Sequence, residues 1–441
     1  MTDPGALPAL KRFAFEADAT DRLTHHLFRF PAKFHPPIVR QLITDYTRPG
    51  DCVLDPFCGS GTLLIEASVL GRDSIGIDVD PLSVFVSRVK AHALRGTALG
   101  ATASQLEASL RKLKRTESEL ENLADRDLDD AEYAKQLDGS WVPSMPRLEH
   151  WFYRYAIVDL ALLLASINRL DAPKTHRDFF KLVFAATIRS ASRADPVPVS
   201  GLEVTKVMLE KEEAGRSVDV ASLFRRRMAR ALEDMAHFQE TNAAETNCKV
   251  FRGDAAKLRA DLAPDVDAAI TSPPYHGAVD YYRRHKLEMF WLGMTEDQEA
   301  RLALLEHYLG RPKVPRRHPF VGGSSLEMPG VAAVEQGMRE VSTKRADAFK
   351  HYVIGMSRAI ANVARRMKPG APFILVVGHS SWNGGSIDTS SLMEELAKPH
   401  FSLTGRYWYP VKNRYMSYER KNGANIDREY VLALERSESK V

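Results

Sequence analysis

TSPPY, from Thr271 to Tyr275, sets a hydroxyl, two prolines and an aromatic ring directly after the apolar run DVDAAI. Proline can neither continue a strand ladder nor enter a helix interior, so Pro273 and Pro274 specify a rigid, extended corner at a strand's carboxyl end. Open α/β sheets bind their ligands at that edge. A second strand end of the same kind is VLDPFCGSGT, from Val53 to Thr62. Asp55 closes the strand, Gly59, Ser60 and Gly61 make a turn, and Thr62 opens a helix of Leu, Ile and Ala. Glycines let backbone approach a ligand, and amides of the turn and helix start donate to negatively polarised groups. The spacing fits neither GxxxxGK[ST] nor the full GxGxxG fingerprint, so nucleotide phosphates are not the expected guest. GIDVDP then places Asp78 about twenty residues past the turn, where nucleoside-binding sheets hold a carboxylate for ribose hydroxyls. A glycine turn alone is an ordinary loop. With Asp55 and Asp78 at successive strand ends, it points to a nucleoside cofactor.

These residues need a sheet to bring them together. Short apolar or alternating runs predict strands at Cys52–Asp55, Asp73–Asp78, Val266–Thr271, Pro372–Gly378, Phe401–Val411 and Glu429–Glu435. Helical patterns alternate with most of them; one runs from His351 to Met367 and stops at Lys368-Pro369-Gly370. Alternation of this kind builds a doubly wound, mostly parallel α/β sheet. From about Lys90 to Glu245 the alternation lapses into sequence rich in Ala, Leu, Glu, Lys and Arg, which predicts a largely helical insertion.

The chain has 441 residues, 44% hydrophobic and 27% charged, enough for a large core and more than one domain. No run approaches the roughly 20 apolar residues of a membrane span, and the opening stretch lacks a signal-peptide core. The expectation is a cytoplasmic protein. Cys52, Cys58 and Cys248 make no disulfide framework and have no metal-ligand spacing, so no metal is expected. With 61 Lys and Arg against 57 Asp and Glu, the formal net charge is +4, and any nucleic-acid partner must meet local patches.

DPFCGSGT, GIDVDP and TSPPY in this order, with FRFPAKFHPPIVRQLI from Phe28 to Ile43, resemble the amino-methylating DNA methyltransferases that use S-adenosylmethionine. The SPPY spelling is similar to their N4-cytosine branch. The resemblance implies a Rossmann-like methyltransferase fold in three stretches. Residues 1–90 carry the cofactor motifs, 91–245 form the helical insertion and possible DNA-recognition region, and 246–441 hold SPPY and a basic loop at 311–325. It also assigns roles. Asp55, Pro56, Phe57, Gly59, Ser60 and Gly61 shape the pocket for the amino-acid part of the cofactor, with Thr62 at the helix start and Thr271 beside them. Asp78 binds the ribose, Asp254 the adenine amine, and Lys33, Phe34 and His35 the methionine end. Plainer readings stand beside some of these: Asp254 as a turn or helix cap, His35 as a cap for the next helix, and Cys52 and Cys58 as packing residues.

The corner then has a chemical task. An exocyclic base amine is a poor nucleophile because its lone pair is delocalised, so a catalyst must pull the nitrogen towards tetrahedral geometry and accept a proton. The Ser272 hydroxyl and the Pro273 carbonyl can accept the amine hydrogens, Pro274 stiffens the corner, and Tyr275 offers a ring for an extruded base. By resemblance, adenine-specific relatives usually carry Asp or Asn where Ser272 stands. The expected reaction is site-specific methylation of cytosine N4 in double-stranded DNA, with a cognate restriction endonuclease as possible partner. Adenine N6, an RNA base amine and an inactive nucleic-acid-binding scaffold remain the alternatives. For DNA contacts the residues are Arg283 and Arg284, beside Tyr281, Tyr282 and His285, and Lys313, Arg316 and Arg317 in the basic loop. Arg225–Arg227 with Arg230 reads as a solvated helix face or a phosphate-binding one. WFYRYAIVDLALLL, from Trp151, reads as helical core.

Overall fold

The computed structural model describes residues 8–16, 23–196, 202–242, 246–258, 265–277, 281–311, 314, 328–382, 385–411 and 427–438. Ten strands are present among them: β1 (Leu10–Arg12), β2 (Cys52–Asp55), β3 (Asp73–Asp78), β4 (Cys248–Arg252), β5 (Ala268–Thr271), β6 (Pro372–Gly378), β7 (Ser380–Trp382), β8 (Gly385–Ile387), β9 (Phe401–Pro410) and β10 (Arg428–Arg436). Eight form one sheet in the order β1-β9-β10-β6-β5-β2-β3-β4, and β7 and β8 form a separate hairpin. Every pairing in the large sheet is parallel except those of β10, which runs against β6 and β9. From β2 the chain winds outward through β3 and β4, then returns to β5 and winds the other way through β6. The order reverses between β2 and β5, and ligands of doubly wound sheets bind at such a switch point.

Strand alternation sorts the core into two layers. Val53, Ala268, Ile270, Ile374, Val376 and Val431 point towards α1 (Pro36–Tyr46) and α2 (Thr62–Val69). Leu54, Ala269, Leu375, Val377 and Leu432 face the helices Thr343–Ala364 and Thr389–Ala397 on the other side. α1 begins with two prolines, whose fixed φ suits a first turn with no partner for its amides. α3 (Pro81–Lys90) starts with one proline, and Asp80 caps it by accepting from the Leu82 and Ser83 amides.

Between β3 and β4 the described residues contain helices and no strand, including Gly96–Leu113, Arg154–Asn168, Lys174–Ala191 and Val220–Thr241. Their apolar faces, with Leu106, Leu163, Phe180, Phe184, Phe224 and Phe238, share one buried cluster with Leu64 and Ile65 of α2 and Leu82 and Val86 of α3. The helical stretch therefore continues the core that underlies the glycine turn. The predicted strand at Val266–Thr271 is shorter, since Val266 makes only an isolated bridge to Met367. The helix predicted from His351 begins at Thr343. No helix among the described residues is long and apolar enough to cross a membrane.

Candidate active site

The Asp55 carboxylate accepts from the Phe57 amide at 3.1 Å and from the Thr271 hydroxyl at 2.6 Å. The second bond ties the end of β2 to the end of β5 across the switch point. Asp55 is 3% exposed, and burial pushes its carboxyl up to about 7. The glycine turn follows in left-handed backbone, φ 49° at Gly59 and 78° at Gly61. The two glycines serve different ends. A Cβ at Gly61 would stand 2.8 Å from Ser87 Cβ, so the bare backbone there lets α3 pack on the start of α2. Gly59 donates its amide to Asp78 at 2.9 Å, and the Asp80 amide donates to the other Asp78 oxygen at 2.9 Å. Turn and carboxylate thus hold each other. Burial, reinforced by the Asp80 charge, pushes Asp78 up to about 7.

Lys33, Phe34, Asp55, Pro56, Phe57, Gly59, Ser60, Thr62, Asp78, Asp254, Ser272 and Pro274 line a single pocket. Motifs separated by more than 200 residues meet there. His35, Gly61, Thr271, Pro273 and Tyr275 stand outside its wall: Thr271 holds Asp55, Gly61 serves packing, and His35 meets Phe15 edge-on at 6.1 Å. His35 occupies the cap position of α1 without a side-chain cap bond. Asp254 accepts from the Ala256 amide at 2.9 Å, capping a short turn, while its other oxygen lies 3.7 Å from His307 Nδ1. Thr62 is buried, and its hydroxyl has no hydrogen-bond partner among the described residues. A buried hydroxyl without a partner is costly, so a polar cofactor group at this wall satisfies the fold as well as the ligand.

Sequence reasoning missed part of the pocket. Phe30 and Ala32 lie within the FRFPAKFHPP segment, where Ala32 adopts φ 48°, while Asp80 is the last acid of GIDVDP. Tyr308 and Leu309 come from a stretch with no local motif. His285 is buried at 2% exposure, bonded through Nδ1 to Asp80 Oδ2 at 3.0 Å, and packs at 4.9 Å from the Phe30 ring. Burial raises the Asp80 carboxyl, but the His285 bond and the α3 amides outweigh it and hold the group below its usual range.

Beneath the turn lies a charged cluster that no pattern announced. Lys90, fully buried, donates to the Ser60 carbonyl at 2.9 Å, and burial draws its ammonium well below its usual range. Glu66 of α2 accepts from Arg40 at 2.8 Å and bonds His25 at 2.7 Å, which fastens the 24–46 segment over the turn. Burial draws the His25 imidazole down to about 4, so removing Glu66 strands the partly exposed Arg40 charge and deprives a buried neutral imidazole of its bond. Glu66→Ala is expected to lower stability by about 3 kcal/mol, read as a shift in the urea midpoint at unchanged slope; a wild-type midpoint would refute the role.

The corner itself is buttressed. Gly310 has φ 76°, and a Cβ there would lie 2.7 Å from the Tyr275 carbonyl oxygen. Gly277 donates its amide to the Gly310 carbonyl at 2.8 Å. Gly310→Ala must shift either the corner or its own backbone, a strain of roughly 1–2 kcal/mol. For the methyl transfer that the resemblance implies, the expected result is a roughly tenfold slower single turnover with cofactor affinity retained. A wild-type rate would show that the corner does not depend on this support. Ser272 Oγ lies 3.4 Å from the Tyr275 hydroxyl, which donates to Glu429 at 3.0 Å.

Among the DNA-contact candidates, Arg283 is exposed and pairs with Glu203 at 3.1 Å, and Arg284 is half-buried in the short helix Tyr281–Arg284. Lys313, Arg316 and Arg317 lie outside the described residues. The arginine run divides: Arg225 pairs with Glu107 at 2.9 Å and Arg227 donates to Ser190 at 2.7 Å, whereas Arg226 and Arg230 are exposed. Phe152 and Tyr155 are core residues.

Strand order, glycine turn and proline corner together give the Rossmann-like fold and the pocket that the resemblance to S-adenosylmethionine-dependent methyltransferases implies. Residues 13–84 match the family model N6_N4_Mtase, described as DNA methylase. The chain is similar to the Type II methyltransferase M.MvaI of Kocuria varians, 25% identical over 396 residues that cover 86% of this chain and 82% of the relative. It is also similar to the Type II methyltransferase M.BsoBI of Geobacillus stearothermophilus, 25% identical over 305 residues covering 65% and 56% of the two chains. These findings bear out the resemblance to the amino-methylating DNA methyltransferases. Among solved structures, the rRNA methyltransferase AviRa of Streptomyces viridochromogenes matches with a TM-score of 0.31 and 13% identity, covering 97% of this chain and 96% of that one. The fold class rests on the strand order itself.

Proposed function

We propose that the chain transfers the methyl group of S-adenosylmethionine to the N4 amine of cytosine in double-stranded DNA. The observation that carries this reading is the shared wall: Ser272 and Pro274 of the corner border the same pocket as Asp55, Gly59 and Asp78. When bound, the cofactor supplies an electrophilic methyl on a sulfonium. Asp78 takes the ribose hydroxyls, Thr62 and the turn amides take polar groups of the amino-acid part, and Lys33 and Phe34 close the methionine end. Ser272 and the Pro273 carbonyl accept the two amine hydrogens, which turns the nitrogen lone pair out of conjugation. Tyr275, anchored by its hydroxyl, presents its ring to the extruded base. Arg283 and Arg284 follow the corner closely enough in sequence to meet the DNA backbone.

Two relatives are named Type II methyltransferases, and on that footing the activity belongs to a restriction-modification pair, with a cognate endonuclease as partner, in the cytoplasm. Serine in the corner supports cytosine over adenine. Mass spectrometry of nucleosides from DNA incubated with the purified protein and S-adenosylmethionine tests the reading. N4-methylcytosine is expected. N6-methyladenine would move the target to the other amine, methylation confined to RNA would replace the nucleic acid, and a methyl group on a ring carbon would overturn the mechanism.

A further inference from the structure

One carboxylate at the ligand edge has no part in the steps above. Because β10 runs against its neighbours, its first residues lie where β5 and β6 end, and Glu429 there is paired in register with Gly378 of β6 and Tyr409 of β9. Both carboxylate oxygens are engaged. Oε1 accepts from the Tyr275 hydroxyl at 3.0 Å and Oε2 from the Tyr409 hydroxyl. Ser272 Oγ lies 3.4 Å from the Tyr275 oxygen, a separation that a bound substrate can tighten. With the Tyr275 proton given to Glu429, the Tyr275 oxygen is placed to accept from Ser272. The hydroxyls then point one way, from the amine-binding serine to the carboxylate.

We propose that Glu429 is the positioning residue that ends a proton path from the target amine through Ser272 and Tyr275. This inference rests on the amine-methylation reading. As the nitrogen–carbon bond forms, the carbon–sulfur bond breaks and its electron pair stays on sulfur. The amine proton passes to Ser272 Oγ, the Ser272 proton to Tyr275 Oη, and the Tyr275 proton to Glu429 Oε1. The positive charge of the sulfonium and the negative charge of Glu429 disappear together, so no charge is stranded in the corner. A fixed clamp for Tyr275 would need only the hydrogen bonds; a path needs the carboxylate charge.

Among the described residues, the ionisable groups facing Glu429 are few. Tyr275 comes from the corner and Tyr409 from β9, while its β6 partner Gly378 carries none. From α1, His35 is screened by Phe15, whose ring lies 6.1 Å from His35 and 5.8 Å from Tyr409. Arg428 is stacked over Trp408 at 4.5 Å, and His379 is stacked on Tyr430 at 4.3 Å. Burial holds the Glu429 carboxyl above its ordinary range, so an acid limb of the rate reports it once cofactor is saturating.

The test is a single-turnover pH–rate profile at saturating S-adenosylmethionine, run on whichever nucleic acid the wild type methylates. Glu429→Gln keeps acceptor and size and is expected to slow transfer roughly a hundredfold at alkaline pH and to abolish the acid limb. Glu429→Asp restores part of the rate together with the limb. Tyr275→Phe breaks the path from the other side, and the double variant is no slower than the slower single one. A wild-type rate in Glu429→Gln, or a slowed rate with the acid limb intact, overturns the path and leaves Glu429 a clamp. The product nucleoside separately judges the target, so an unexpected base or nucleic acid counts against the proposed function alone.

Discussion

Ser272→Ala is expected to lower the single-turnover rate of methyl transfer about a hundredfold or more while cofactor and DNA still bind. The serine lies on the wall where the cofactor motifs meet the corner, and its hydroxyl is the only hydroxyl that SPPY places on that wall. Losing one oriented polar contact made in the transition state costs roughly 2 to 4 kcal/mol. The ground state loses little, because a flipped base keeps its stacking and its other contacts. Equilibrium binding to duplex DNA containing the target site, measured beside the rate, separates the two effects. A near-normal rate would remove Ser272 from the mechanism, and a loss of DNA affinity equal to the loss of rate would make it a binding residue.

Asp78→Ala is expected to weaken S-adenosylmethionine binding by about 2 to 3 kcal/mol, the worth of hydrogen bonds to a charged group. The variant loses the carboxylate proposed to accept from the ribose and also frees the Gly59 amide that Asp78 holds at 2.9 Å. A pH dependence follows, with a definite sign. The folded carboxyl is pushed up to about 7, so the folded chain binds the proton more tightly than the unfolded one. Its contribution to stability is therefore greatest below the ordinary carboxylate range and is lost as pH rises through about 7. Cofactor binding runs the opposite way, because ribose hydroxyls donate best to the ionised form. Affinity should rise between pH 6 and 8, and Asp78→Asn should flatten that rise. Calorimetric titration giving wild-type affinity in Asp78→Ala would sink the assignment.

The strand ends were legible because their residue types answer local demands. Proline at 273 and 274, glycine at 59 and 61, and aspartate at 55 and 78 each fix backbone or charge without reference to distant sequence. β1 and β4 were not among the predicted strands. β1 is three exposed residues, LKR, whose strand character depends on pairing with Arg406–Trp408. β4 sits at the opposite edge and buries only Val250, so no alternation marks it. The composition of the middle stretch gave helices, but nothing local shows that their core continues into α2 and α3. Tyr308, Leu309 and Lys90 reach the site only through packing. Glu429 read as the start of a strand, and only the reversal of β10 turns it towards the corner. His285 read as part of a DNA path beside Arg283 and Arg284 or of a helix packed on the sheet, and its burial on Asp80 makes it a brace between the cofactor strand and the stretch after SPPY.

β10 lies between β6 and β9 rather than at an edge, and this governs when the enzyme can exist during its own synthesis. Domains assemble as the chain emerges from the ribosome, yet residues 428–436 fill an interior slot of the sheet. Until they emerge, β6 presents an open edge, β9 has no neighbour on that side, and β1, made first, waits for β9. The glycine turn and the proline corner can be translated long before and still have no finished wall. A newborn chain therefore has no finished sheet around its pocket until residue 436 has been read, and a message cut short upstream of residue 428 leaves the slot between β6 and β9 unfilled.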